Sequence, residues 1–253
     1  MTFDQAEWEI RLEWGVEGVN RLAPISDVVI VVDVLSFSTG VDIAVSNGAV
    51  VFPYASRDCG LAEYARLKNA HPAETVRGQP GAFSLSPQSL LNVPSGYRLV
   101  LPSPNGAALC MAVGHATTLA GCLRNCRAVA QAAANRGRTV AVIAAGEQWP
   151  DGSLRPCLED LLGAGAVLQN LSGRRSPEAD AAVAAFEKMR PQVVDVLRSC
   201  GSGKELIERG FECDVSLASE YDVSSTVPVL VDSAFIGHEI LKRGGQRDED
   251  RKR

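Results

Sequence analysis

Val28-Val29-Ile30-Val31-Val32-Asp33-Val34-Leu35-Ser36-Phe37-Ser38-Thr39-Gly40 is the stretch that decides the fold. Five consecutive β-branched residues read as a strand buried on both faces, because a strand with one wet face would alternate apolar with polar residues. The polar stretch after it reads as a turn leading into a helix. Working outward, the same unit recurs. Aliphatic runs at 27–32, 49–52, 98–101, 117–120 and 139–145 read as strands, and most are followed by helical stretches, at 40–47, 60–69, 106–113, 125–136 and 158–171. That alternation predicts a three-layer α/β/α sandwich around a mixed, mostly parallel sheet. Ser176-Pro177-Glu178 supplies an N-cap, a first-turn proline and an acid at the positive end of the dipole, opening a helix that runs to about 189. Helical stretches continue to Arg209, where Gly210 stops them. A last strand is expected at 227–231, with Pro228 arguing for the sheet's edge or the strand's end.

The 253 residues are 46% hydrophobic and 22% charged, an ordinary globular composition that leaves no room for a collagen or coiled-coil reading. One domain is expected over 1–241. The net charge of −5 is uneven, since 242–253 carries six basic and three acidic residues and reads as a charged, disordered tail. The remaining body, at −8, repels phosphate backbones at long range, so no nucleic-acid partner is expected and any anion site must be built locally. Asp4, Glu7 and Glu9 stand where an export signal would need basic and then apolar residues, and no apolar run approaches the ~20 residues of a membrane span. Seven scattered cysteines without a CxxC pair suit reduced core positions. The expected location is therefore cytoplasmic, and a homodimer is left open.

In an open α/β sheet, ligands gather beyond the carboxyl ends of the strands, so the residues after each run carry the functional reading. They are Asp33 to Gly40, Pro102 to Gly106, Gly121 to Asn125, and Gly146-Glu147, with Glu159-Asp160 opening the next helix. Each has a capping explanation: Asp33, Ser38 and Asn125 suit N-caps, and Glu159-Asp160 suits any first helical turn. Together, four loops carry hydroxyls, amides, a guanidinium and carboxylates toward one rim, which capping alone does not require. No cysteine has an arginine six positions on, Leu35 stands where a second aspartate would follow Asp33 in an aspartyl-phosphate enzyme, and neither GxSxG nor GxxxxGK[ST] occurs. His71, His115 and His238 sit in no triad context. What remains suits a hard cation, Mg²⁺, with a phosphate or similar anion.

These motifs, in this order, resemble the Mg²⁺-dependent 2-phosphosulfolactate phosphatases. Asp33-Val34-Leu35 with Ser38 and Thr39 is similar to the family's D-(V/M)-L-R-A-(S/T)-(S/T) segment. Asn105-Gly106 matches its T-T-N-G-T loop, Gly121 to Asn125 its G-S-x-x-N loop, Ala145-Gly146 its A-G turn, and Glu159-Asp160 with Gly165 its (E/D)-D-x-x-x-x-G helix. Gly210 to Asp214 and Asp222 to Pro228 resemble the closing L-G-x-x-x-D and D-x-x-x-x-V-P pattern, with Arg209 replacing the leucine. The departures are Ser36 for the family's arginine, Gly78-Gln79-Pro80 for its G-E-R loop, and a shortened Phe83 to Pro87 segment. The resemblance implies an α/β fold and hydrolysis of a small anionic phosphorylated substrate. It implies Asp33 and Asp160 as Mg²⁺ ligands, with Glu159 or Glu147 as a further ligand or proton-transfer group. Ser38, Thr39, Ser103, Asn105, Gly106 and Asn125 would donate to the phosphate. Glu147 is a candidate replacement for the missing acid, and Arg124 and Arg155 for the missing cations, holding the substrate's acidic end. Ser36 and Gln79 also leave open a different phosphomonoester, and a non-catalytic anion-binding protein is the remaining alternative.

Overall fold

The computed structural model describes residues 3–56, 58 and 60–238; the expected tail at 242–253 lies outside the described residues. Its strands are β1 (Ile10–Trp14), β2 (Val28–Val32), β3 (Val50–Tyr54), β4 (His71–Pro72), β5 (Arg98–Pro102), β6 (Thr117–Gly121), β7 (Val140–Ala144), β8 (Glu147–Gln148), β9 (Leu154–Arg155), β10 (Pro228–Val231) and β11 (Ala234–Gly237). The helices are α1 (Gly15–Leu22), α2 (Phe37–Ser46), α3 (Gly60–Leu67), α4 (Gly106–Ala112), α5 (Cys126–Ala134), α6 (Leu158–Leu168), α7 (Pro177–Met189), α8 (Val193–Ser199), α9 (Gly201–Glu208) and α10 (Glu212–Ala218).

Nine strands form one mixed sheet in the order β1-β7-β2-β6-β10-β11-β3-β5-β4. Two parallel blocks, β1-β7-β2-β6 and β3-β5-β4, are joined by the antiparallel β10-β11 hairpin. β8 and β9 form a separate two-stranded hairpin. The predicted α/β sandwich with a mostly parallel sheet is what the chain adopts. Pro228 is the first residue of β10, so it sits at the strand's end rather than at the sheet's edge, where its missing N–H removes no ladder bond from the strand interior.

The run 28–32 is buried on both faces because its side chains alternate between two cores. Val28, Ile30 and Val32 pack with Val129 of α5, Leu162 of α6, Phe186 of α7 and Leu197 of α8. Val29 and Val31 pack with Val19 of α1, Phe37 and Val41 of α2 and Leu109 of α4. β7 divides its residues the same way, with Val140, Val142 and Ala144 on one face and Ala141 and Ile143 on the other. At about 1.5–3 kcal/mol for each large aliphatic side chain removed from water, this double burial fixes β2 at the centre of the fold.

α2 begins three residues before its expected start at 40. The Ser38 hydroxyl donates to the Asp33 carbonyl at 2.7 Å and accepts the Asp33 N–H at 2.6 Å, while Thr39 Oγ1 donates to the Val34 carbonyl at 2.8 Å. Residues that read as a polar turn satisfy their own hydroxyls locally and enter the helix. β1 and α1 were not expected from the sequence. Ile10, Leu12 and Trp14 alternate with Arg11 and Glu13, and β1 is the edge of the sheet, but Arg11 is also buried, its guanidinium donating to the Trp8 and Ile25 carbonyls.

Candidate active site

The carboxyl ends of β2, β5 and β7 and the first turn of α6 open onto one cleft of about 170 Å³. At its floor lie two buried carboxylates whose four oxygens each accept a backbone N–H from a different residue. Asp33 Oδ1 accepts from Phe37 at 3.1 Å and Oδ2 from Gly106 at 2.9 Å. Asp160 Oδ1 accepts from Val34 at 2.7 Å and Oδ2 from Gly146 at 2.8 Å. The pair therefore ties the β2, β5 and β7 rim loops to α6. Burial pushes the Asp33 carboxyl up to about 6, the charges of Glu147 and Glu159 adding to it and the two N–H bonds opposing it. Burial likewise raises Asp160 well above the ordinary carboxylate range, followed by the charges of Asp33 and Glu159. Two carboxylates held close in low dielectric, with more acids beside them, form a site that gains from a cation.

The donor set admits one. Each carboxylate oxygen has engaged one N–H and three keep a further lone pair, Asp33 Oδ2 also facing the Ser103 hydroxyl at 3.5 Å. Among the described residues, no three His, Cys, Asp or Glu side chains close on a single point. A two-carboxylate site of this kind fits Mg²⁺, which keeps several waters and completes its shell with substrate phosphate oxygens rather than an all-protein cage.

Six of the expected residues line the cleft: Asp33, Ser103, Asn105, Glu147, Glu159 and Asp160. Ser103 Oγ stands 3.5 Å from Asp33 Oδ2, and Asn105 Nδ2 donates to Glu147 Oε1 at 3.0 Å. Gly106 meets the site through its N–H alone. Glu159 is buried and accepts a contact from Cys200 Sγ at 3.4 Å, while Glu147 is exposed at the mouth. The other expected residues do not reach the cleft. Ser38 and Thr39 are buried in the first turn of α2 with their hydroxyls on backbone carbonyls. Asn125 fastens the turn after β6, accepting the Cys122 N–H at 2.9 Å and donating to the Ala120 carbonyl. Arg124 is drawn away by charge, paired with buried Asp42 at 2.9 Å and with Glu220. Arg155 donates to Ser202 Oγ at 3.0 Å and lies over the Trp149 ring, and its carbonyl accepts from Cys157 Sγ at 3.4 Å, so it backs the cleft wall behind Ser202 and Cys157 without lining it.

The cleft takes its cations from elsewhere. Arg77 and Arg209 line it, and both lie near the Phe211 ring, with guanidinium carbons 5.8 and 5.7 Å from the ring centre. Arg77 is held by Asp214 at 2.7 Å and donates to Ser36 Oγ at 3.0 Å. Ser36 thus occupies a place beside a guanidinium even though the family's arginine is absent there. Arg209 stands where the family has leucine and is a visible departure, whereas Arg77, which directly precedes the altered Gly78-Gln79-Pro80 loop, is not among the expected residues. Sequence spacing alone does not show that α9 and the 75–77 loop meet over Phe211.

An α/β protein with paired buried carboxylates, flanking hydroxyl and amide donors and two guanidiniums in one strand-end cleft has the groups of a phosphate-handling class. The comparisons with known proteins make the class specific. A sequence model of 2-phosphosulpholactate phosphatase matches residues 17–233, and the chain belongs to that family. It is 31% identical over 222 residues to the 2-phosphosulfolactate phosphatase of Methanothermobacter thermautotrophicus, covering 86% of this chain and 93% of that protein. It is 29% identical over 231 residues to a probable 2-phosphosulfolactate phosphatase of Thermotoga petrophila, covering 85% of this chain and 96% of that one. A probable 2-phosphosulfolactate phosphatase of Gloeobacter violaceus is 28% identical over 211 residues. Among the described residues no helix is long and apolar enough to cross a membrane.

Proposed function

We propose that this chain is a Mg²⁺-dependent phosphatase that hydrolyses a small acidic phosphomonoester, 2-phosphosulfolactate or another phosphorylated acid. The observation that carries the reading is the meeting of buried Asp33 and Asp160 at one cleft floor, each raised by burial and by neighbouring negative charge. Asp33 and Asp160 would hold the Mg²⁺. When bound, the cation neutralises phosphoryl oxygens and lowers the pKa of a water.

The chain's own groups do the rest. Ser103 Oγ and Asn105 Nδ2 donate to phosphoryl oxygens, and Arg77 and Arg209 hold the acidic end of the substrate away from the carboxylates. Water oxygen forms the new bond to phosphorus as the ester oxygen leaves. Glu147, exposed at the mouth and hydrogen-bonded to Asn105, takes the proton from the water and returns it to the departing alcohol. Ser36, beside the Arg77 guanidinium, and Gln79 both depart from the family pattern, which favours a second reading in which the acid differs from sulfolactate. The deciding experiment is phosphate release from a panel of small phosphorylated acids that includes 2-phosphosulfolactate, with and without Mg²⁺. Release that needs the cation and disappears in Asp33→Asn supports the assignment. Binding of these acids without release under any divalent cation overturns it in favour of an anion-binding protein.

A further inference from the structure

Beside the acidic cleft is a second pocket of opposite character. Trp14 and Val16 from β1 and α1, Leu109 from α4 and Leu154 from β9 wall an apolar recess of about 260 Å³. Its boundary with the cleft is the hydrogen-bonded pair Asn105 and Glu147, which line both spaces. Val16 and Leu154 are 47% and 41% exposed, so the chain leaves apolar surface in water at the place where a ligand entering the cleft would touch it. A three-carbon sulfonated acid has no hydrocarbon arm to cover that surface. The recess is larger than a cavity of about 150 Å³ that accommodates benzene.

Resting on the phosphatase reading above, we infer that the substrate is a phosphomonoester whose alcohol carries an apolar arm the size of a phenyl ring or a short alkyl chain, seated between Trp14, Leu109 and Leu154. The phosphoryl group sits in the cleft, and the arm passes Asn105 and Glu147 into the recess without crossing bulk solvent. Two spaces with shared walls and opposite polarity sort a molecule that has one charged and one apolar end. Asn105 stands at the junction, where the ester oxygen must lie. The β8-β9 hairpin, which supplies both Glu147 and Leu154, couples the wall of one space to the wall of the other.

The test compares O-phospholactate with O-phospho-3-phenyllactate, which differ by the phenyl arm alone, in the wild type and in Leu154→Asp. Leu154 is half exposed, so the variant is expected to fold, and because it shares a hairpin with Glu147 the readout is the ratio of the two kcat/KM values, which a general loss of rate leaves unchanged. The expected result is a kcat/KM at least about tenfold higher for the phenyl compound, reduced to near unity in the variant. Equal kcat/KM for both compounds, or a preference that Leu154→Asp leaves intact, overturns the inference while the phosphatase assignment stands. Calorimetry with the product alcohol, 3-phenyllactate, separates the two readings where no phosphate is released. Binding that weakens in Leu154→Asp keeps the recess as an apolar-arm site and removes the phosphatase; no binding removes both.

Discussion

Asp160, in the first turn of α6, accepts the N–H of Val34, the residue that follows Asp33, at 2.7 Å across 126 positions of sequence. The same carboxylate accepts the Gly146 N–H at 2.8 Å, so one side chain holds the β2 and β7 rim loops in place. Asp160→Ala leaves two buried N–H groups without acceptors, at about 1–3 kcal/mol each, while releasing the burial and repulsion that raise its pKa. These effects oppose each other, so a Tm change of only a few degrees is expected. Phosphate release has no such compensation, and a fall of at least about a hundredfold is expected. A variant that retains a tenth of the activity would remove Asp160 from the reacting site.

Asp33 supplies a pH dependence whose sign is fixed by its raised pKa. Its carboxyl titrates near 3.8 when unfolded and about 6 when folded. Between those values the folded protein keeps a proton that the unfolded chain has released, so this group's contribution falls as pH rises through the window. The loss is complete above about 6 and amounts to roughly 3 kcal/mol. Relative to Asp33→Asn, the wild type is expected to lose stability on going from pH 4 to pH 7 without divalent cations. On the proposed placement of Mg²⁺ at the deprotonated pair, the cation is expected to raise Tm by about 5–10 °C at pH 7.5 at a hundredfold excess over Kd, and by much less at pH 4.5. Calorimetry with and without a chelator checks both; an equal Mg²⁺ effect at the two pH values contradicts the placement of the cation on this pair.

The Arg77–Asp214 pair joins structure to specificity. Asp214 is fully buried and accepts from Arg77 at 2.7 Å, from Ser86 Oγ at 2.6 Å and from the Gln88 N–H at 3.0 Å. Its removal strands a guanidinium and two further donors, so Asp214→Ala is expected to cost about 3–5 kcal/mol, read as a Tm lowered by about 10 °C or more. Arg77→Ala leaves a buried carboxylate behind and is also destabilising. Its distinctive readout is kinetic, with KM for an acidic phosphomonoester raised more than kcat is lowered. An unchanged KM in a folded Arg77→Ala protein would mean that Arg77 serves Asp214 alone.

What could be read in the sequence followed local rules, and what could not depended on which charges meet in space. The run 28–32 announced its own double burial, and β5, β6 and β7 fell within two residues of their expected bounds, because buried strands are continuous in sequence. Asp33, Ser103, Asn105, Glu147, Glu159 and Asp160 follow strand ends or open a helix, so fold class alone carries them to one rim. Arg124 has the same credential, yet Asp42 on α2 and Glu220 after α10 capture it, and neither is near it in sequence. Arg77 and Arg209 lie 132 positions apart in sequence and share only the fold's placement of both guanidiniums near the Phe211 ring. The β10-β11 hairpin was half visible, since β11 (AFIG) lacks the run of β-branched residues that precedes and enters β10, yet it bridges the two parallel blocks.

Gly106 is the position where backbone geometry and chemistry are hardest to separate. Its N–H donates to Asp33 Oδ2 at 2.9 Å, and a Cβ there would stand 2.7 Å from that oxygen and 2.5 Å from Phe37 Cδ1. Phe37 is fully buried and packed edge-on against Phe235, so it cannot swing aside, and the strain passes to the carboxylate or to α4. Gly106→Ala is therefore expected to lower activity by at least about tenfold and stability by about 1–3 kcal/mol. Gly96→Ala is the control. Its φ of +77° makes alanine costly by about 1–2 kcal/mol, but nothing lies within 4 Å of the added carbon and Gly96 is outside the cleft. Comparable stability losses with activity lost only in Gly106→Ala would assign the effect to the Asp33 carboxylate. Equal activity in the two variants would show that the rim tolerates displacement of Asp33, and the carboxylate could not then be part of the reacting site.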